Sequence, residues 1–186
     1  GGVMDFHTLQ PGFAEDEELY LSGNALVRYN SGNVGKTGHF DVNIANQKLS
    51  SLTSVTYSDF SNLTMGKNGL SDDIEDQYLR ENYVTEINKQ DSVVPNSNPH
   101  LARGSGFSQL HILQKLKYKL SERSSIQYSF YYSTSSDIPR YDRLIQQKNE
   151  SLKYADWYYG PQKWMVNSLK YKSESKTKFW DEIKVH

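Results

Sequence analysis

Cysteine is absent from the 186 residues, which removes disulfides and thiol chemistry and says nothing more about compartment. No apolar run approaches the ~18 residues of a membrane helix. One kind of membrane protein survives that absence, because a barrel strand needs only ~9–11 alternating residues and gives a far weaker hydropathy signal. A charge excess is also missing: 21 Lys and Arg offset 22 Asp and Glu, so bulk charge makes no case for nucleic acid. Gly-x-Ser-x-Gly, a phosphate loop and His-Glu-x-x-His are all absent, so the sequence offers no case for an enzyme. Hydrophobic residues reach only 36%, whereas aromatics make up 13%, with 14 Tyr. An aromatic-rich, aliphatic-poor chain suits strands, where rings pack well on a pleated surface.

The hydrophobic period is two. Leu21, Ala25, Val27 and Tyr29 alternate with Ser22, Asn24, Arg28 and Asn30. After the turn Ser31-Gly32-Asn33, Phe40, Val42 and Ile44 alternate with His39, Asp41 and Asn43. Asn46-Gln47-Lys48 reverses the chain into a third strand at about 50–60. Residues 61–104 are polar and irregular and read as a long loop. Alternation resumes at Gly106, with Leu110, Ile112, Leu116, Tyr118 and Leu120 against Gln109, His111, Lys115, Lys117 and Lys119. Ser121-Glu122-Arg123 turns into Ile126, Tyr128, Phe130 and Tyr132 against Gln127, Ser129 and Ser133. A second long connection covers about 135–160. Trp164 to Tyr171 is the next strand, Ser173-Glu174-Ser175 its turn, and Lys178 to Val185 the last strand.

Connection lengths run short, short, long, short, long, short. In an up-and-down meander the first, third and fifth share one end, so both long loops fall together. Tight turns on one side and long loops on the other are the signature of an outer-membrane barrel. The expected class is therefore all-β, an antiparallel up-and-down meander. Leu110, Ile112, Leu116, Ile126, Tyr128 and Phe130 should share one face, and Gln109, Lys115, Lys117, Gln127 and Ser129 the other. Gly1 to Thr8, a Gly pair running into Val3, Met4 and Phe6, reads as a tight turn entering a short apolar strand.

Several segments resemble one family in combination. They are Gly1-Gly2-Val3-Met4-Asp5, Ser22-Gly23-Asn24-Ala25-Leu26-Val27-Arg28-Tyr29, Lys36-Thr37-Gly38-His39-Phe40-Asp41-Val42-Asn43 and Thr53 to Phe60. Gly104-Ser105-Gly106-Phe107-Ser108-Gln109, Thr134 to Arg143 and Trp157-Tyr158-Tyr159-Gly160-Pro161-Gln162-Lys163-Trp164 join them. The chain resembles TonB-dependent outer-membrane receptors over nearly its whole length. The resemblance implies that residues 1–14 are the last strand of the plug domain and its linker. It implies that residues 15–186 are the N-terminal portion, about seven strands, of a plugged transmembrane barrel of about 22 strands. It places the apolar face against outer-membrane lipid and the polar face in the lumen. The parent receptor would bind and import a scarce nutrient, an iron-siderophore, haem, cobalamin or a glycan, driven by the TonB complex. The segment that touches TonB would lie outside this chain, which would be a fragment without transport of its own. The rival reading is a soluble all-β module that binds a small molecule or carbohydrate. A third is a secreted glycosidase using Asp137 and Asp142, which would need a fixed carboxylate separation.

Candidate sites are few. The five His show no metal-ligand spacing, and His39 and His111 occupy polar positions of strands. His100, beside Pro99, is a candidate contact for a haem or metal complex. Asp72, Asp73, Glu75 and Asp76 could hold a hard cation but lack the order of a calcium loop, and a solvated acidic loop is the plainer reading. In the second long connection Arg140, Tyr141, Arg143, Trp157, Tyr158 and Tyr159 combine exposed aromatics with Arg, residues that carry binding energy at interfaces. For Trp157 to Tyr159 an aromatic girdle at the membrane boundary explains the same residues equally well. No cofactor and no metal are expected.

Overall fold

A computed structural model of the chain describes residues 2–4, 7–15, 18–66, 78–175 and 179–186. The fold is nearly all β and antiparallel. Its strands are β1 (Tyr20–Asn30), β2 (Gly35–Ala45), β3 (Leu49–Phe60), β4 (Leu63–Thr64), β5 (Asn82–Ile87), β6 (Gln90–Pro95), β7 (Leu101–Ala102) and β8 (Phe107–Ser121). There follow β9 (Ser124–Ser135), β10 (Ile138–Pro139), β11 (Gln147–Lys148), β12 (Ser151–Leu152), β13 (Tyr158–Tyr159), β14 (Lys163–Glu174) and β15 (Glu182–Val185). A helical turn, Tyr141–Leu144, follows β10.

Seven strands form one sheet in the order β1-β2-β3-β8-β9-β14-β15, so each is hydrogen-bonded to its neighbour along the meander. Among the described residues the sheet does not close, and β1 and β15 are its edges. Short turns are fixed by Asn side chains. Asn30 and Asn33 accept from the amides of Gly32 and Gly35 at 3.0 and 3.1 Å. Asn46 accepts from Lys48 and Leu49 at 2.8 and 2.7 Å. Each is a local side-chain to backbone bond that competes with strand continuation and so turns the chain.

Register decides the faces, because directly opposed residues point the same way. Lys115 opposes Leu52 on β3 and Ser129 on β9, and Ser129 opposes Ser168 on β14. Following the ladders, Asn24, His39, Asp41, Asn43, Ser50, Ser54, Lys115, Lys117, Gln127, Ser129, Ser133 and Ser168 share one face. Leu21, Val27, Phe40, Ile44, Val55, Leu110, Ile112, Leu116, Ile126, Tyr128, Phe130 and Leu169 share the other. The two sets expected from alternation in β8 and β9 therefore lie on opposite faces.

Burial is inverted relative to a soluble domain. Ser50 is 0% exposed and Lys115 1%, whereas Val27 is 90% exposed, Leu21 66% and Leu169 58%. Several polar side chains on the apolar face bond to one another. Gln114 accepts from Thr53 Oγ1 at 2.6 Å and donates to Ser51 Oγ at 3.0 Å. The Tyr128 hydroxyl donates to Asn167 at 2.6 Å.

Three expectations need correction. No strand lies within the described residues of 1–14. Residues 8–14 cross the polar face, where wall side chains take the Leu9 and Gly12 carbonyls. The stretch 61–104 is not structureless: β4 pairs with β7, and β5 with β6. Asn88 and Lys89, at φ 53° and 65°, make the two-residue left-handed turn that suits a twisted hairpin. The last turn is longer than Ser173-Glu174-Ser175. Glu174 opposes Glu182, so Ser173 and Glu174 belong to β14 and the final strand starts at Glu182. Lys172 ties that junction by bonding both Glu174 and Glu182. The acidic group Asp72, Asp73, Glu75 and Asp76, and Lys178, lie outside the described residues.

Candidate functional site

Both long connections leave the same end of the sheet, with the β1–β2 turn beside them, and they pack into a crown. Thr64 N–H donates to the Gly32 carbonyl at 2.6 Å, linking the first turn to the first long connection. Asn62 Oδ1 accepts from three successive amides, Gly104, Ser105 and Gly106, at 3.0, 2.9 and 3.2 Å. Gly104, at φ +79°, brings its backbone against Leu144 of the second connection. A Cβ there would stand 3.1 Å from Leu144 Cδ1.

Asn96, buried, organises the first connection. Its amide nitrogen donates to the Arg80 and Leu101 carbonyls at 2.9 and 3.0 Å. Its oxygen accepts from Arg103 Nε at 2.8 Å and from the Asn98 amide at 3.2 Å. Arg103 then lies over the Tyr83 ring, 4.9 Å from its centroid.

In the second connection β10 pairs with β13, setting Ile138 opposite Tyr159 and Pro139 opposite Tyr158. Arg140 forms a two-point bridge to Asp142, Nε to Oδ1 at 2.7 Å and Nη2 to Oδ2 at 2.6 Å. Its remaining Nη1 reaches the Tyr159 hydroxyl at 2.5 Å, with the guanidinium 5.1 Å from that ring. The bridge holds the Asp142 carboxyl below the usual range and the Arg140 guanidinium above its own. Arg143 lies 5.6 Å over Trp157, and Trp157 packs edge-on against Tyr154 at 4.6 Å.

Several clefts sit between the connections, and two adjoining ones carry sequence-derived residues. One, of about 300 Å³, is lined among others by Arg80, Tyr83, Arg103, Tyr141, Tyr154 and Asp156. A neighbour of about 200 Å³ is lined by Tyr78, Arg80, His100 and Tyr141. Burial pushes the Tyr141 phenol up, partly offset by the charge and hydrogen bond of Arg80.

The sequence-derived residues therefore divide into three groups. Tyr141 and His100, distant in the chain, meet across one cleft. Arg140, Arg143, Trp157 and Tyr159 form a self-contained lattice beside it. Tyr158 is exposed on β13. Arg80, Tyr83, Asn96 and Arg103 escaped the sequence reading. Only Asn96 had a signal, in Pro95-Asn96-Ser97-Asn98-Pro99, because an Asn among turn residues can bond backbone groups through its side chain. Among the described residues no three His, Asp or Glu are placed to hold a metal ion.

Comparison of the chain with protein-family models, with curated proteins and with solved structures finds no match in any of the three.

Proposed function

We propose that this chain is part of the wall of a TonB-dependent outer-membrane receptor, with its apolar face against lipid and its polar face toward a plugged lumen. The observation that carries the reading is the inverted sheet. Serines, an aspartate and a lysine are buried on one face while Leu21, Val27, Phe40, Ile44 and Leu169 are exposed on the other. Water penalises such a face, because a soluble domain seldom leaves a contiguous apolar patch of more than a few hundred Å² uncovered. Lipid rewards it, at roughly 1.5–3 kcal/mol for each large apolar side chain fully removed from water. Long connections gathered at one end, carrying Arg and aromatic side chains around a cleft, support nutrient capture there. The two sheet edges support a barrel completed by further strands, about 22 in all, since an unpaired edge exposes a row of backbone donors and acceptors. The nutrient would be an iron-siderophore, haem, cobalamin or a glycan, and the TonB complex would supply the energy.

The test uses the natural lack of cysteine. Single cysteines at Ile44, Leu116 and Leu169, and at Ser54, Ser129 and Ser168, are labelled with an environment-sensitive dye in bilayers containing brominated lipid. Quenching confined to the first three positions is expected. Quenching at neither set, with the chain monomeric in buffer without detergent, would replace this reading with the soluble all-β binding module.

A further inference from the structure

Residues 8–14 lie across the polar face as an extended strap, attached at three points. Lys115 Nζ donates to Thr8 Oγ1 at 2.7 Å and to the Leu9 carbonyl at 2.6 Å. The Gly12 carbonyl accepts from Asn43 Nδ2 at 3.0 Å and from Ser50 Oγ at 2.7 Å. Ala14 N–H donates to the Asn46 carbonyl at 3.2 Å, while Lys117 and Lys119 stand 5.2 and 5.3 Å from the Phe13 ring centroid. The strap thus touches β2, β3, β8 and the turn between β2 and β3. Thr8 Oγ1 also bonds the Tyr131 hydroxyl on β9 at 3.0 Å. Upstream, Val3 and Met4 are 96% and 82% exposed.

We propose that Lys115 is the lock of this strap, and that strap and lysine stabilise each other. The ammonium is enclosed at mid-wall, and its cross-strand neighbours are Leu52 and Ser129, neither of which carries charge. Its hydrogen bonds go to a hydroxyl and a backbone carbonyl of the strap, and its nearest ring is Tyr131 at 6.0 Å. Among the described residues no carboxylate pairs with it; a buried cation so placed is costly, and the strap's oxygens supply the solvation that water would otherwise give. The coupling is reciprocal: whatever lysine does for the strap, the strap does for lysine. At the strap's other end Gly12 and Ala14 bond neutral groups and Phe13 lies against the Lys117 and Lys119 ammoniums, whereas at Thr8 and Leu9 a cation donates hydrogen bonds to the strap itself. In a receptor of the proposed kind, a pull arriving from upstream would load the Lys115 bonds to Thr8 and Leu9 before those at Gly12 and Ala14. The inference does not depend on that setting, since it concerns only the polar face and the segment lying on it.

Amide hydrogen exchange of the chain in detergent micelles tests it, reading the 8–14 peptide against the β8–β9 hairpin. Lys115→Met keeps length and burial while removing the ammonium. Exchange within 8–14, read at the Ala14 amide that bonds Asn46, should then rise roughly ten- to hundredfold with the hairpin unchanged, as the loss of charge-assisted bonds to a locally opening segment implies. Thr8→Val, which alters the strap alone, should raise it by a smaller factor. That variant decides the matter if Lys115→Met unfolds the wall. Unchanged strap exchange in Thr8→Val, or in a folded Lys115→Met, overturns the proposal. Either result is independent of which face meets lipid, so it leaves the cysteine-quenching test untouched.

Discussion

The wall and the crown are built from the same polar, aromatic-rich composition by different means. In the wall, β1, β2, β3, β8, β9 and β14 each run 11 to 15 residues, and their backbone groups pair strand to strand. Side chains there need only obey a period of two. In the crown the strands of 2 to 6 residues are too short to carry the structure alone. Single side chains do it, with Asn62, Asn96 and Arg140 each tying backbone or side chains that are distant in sequence. A wall residue thus matters through the face it occupies, and a crown residue through the partners it holds.

The largest effect expected from this contrast is a charge on the apolar face. Phe40, midway along β2 and half-exposed, should tolerate Arg poorly. Phe40→Arg should destabilise the sheet in bilayers by about 2–4 kcal/mol, the range for a cation near the membrane midplane of a barrel. Tyr158→Arg, in the crown, should stay within about 0.5 kcal/mol, as for an ordinary surface change. Denaturant unfolding of both variants in liposomes measures the difference. Equal costs would erase the distinction between the proposed lipid-facing wall and a solvated crown.

A smaller, local effect should follow Asn96→Ala. Four hydrogen bonds lose their partner at once, two of them from the amide to carbonyls of residues 80 and 101, and Arg103 loses its fixed position over Tyr83. A loss of about 1–3 kcal/mol in local stability is expected for a buried polar group left unmatched. Hydrogen exchange should speed up through β5, β6 and β7 while the wall keeps its protection. Loss of wall protection in the same variant would mean that the crown is a structural part of the sheet.

The same contrast explains what the sequence made legible. The seven wall strands, their order and their two faces follow from alternation, because a slip of one residue would invert every side chain in a strand. The crown hairpins were hidden. Asn88-Lys89 and Asn149-Glu150 take left-handed conformations that no period announces, and the strands they join are short. Gly1 to Thr8 has a strand's composition, and the stretch beyond it, broken by Pro11-Gly12, reads only as a linker with no path of its own. Hydrogen bonds from Lys115, Asn43 and Ser50, far away in the sequence, dictate its path instead. The cluster at Arg140 was visible by composition, but its pairing with Asp142 and Tyr159 required the β10–β13 ladder. The Tyr141–His100 approach depends on two long connections folding together, which a single periodic segment cannot encode.

The smallest effect concerns pH and sharpens the comparison at one side chain. The hydrogen bond and charge of Arg140 depress the folded-state pKa of Asp142 below an ordinary value of 3.8. A depressed carboxyl contributes stability that is fully present above the ordinary value and is lost as pH falls through the folded value. Both partners are solvent-accessible, so screening keeps the contribution modest. Its structural reach is wider than its strength, because Arg140 also holds the Tyr159 hydroxyl and its amide donates to the Trp157 carbonyl at 2.8 Å. Acidification below about pH 3.8 should therefore move the Arg140 Nε and Trp157 indole resonances together, while resonances of β8 and β9 stay in place. Asp142→Asn should show the acid-state positions at neutral pH and lose the transition. If Trp157 shifts with acid in that variant as well, the lattice is governed by another group, and Arg140 is a passenger on the β10–β13 ladder rather than its clasp.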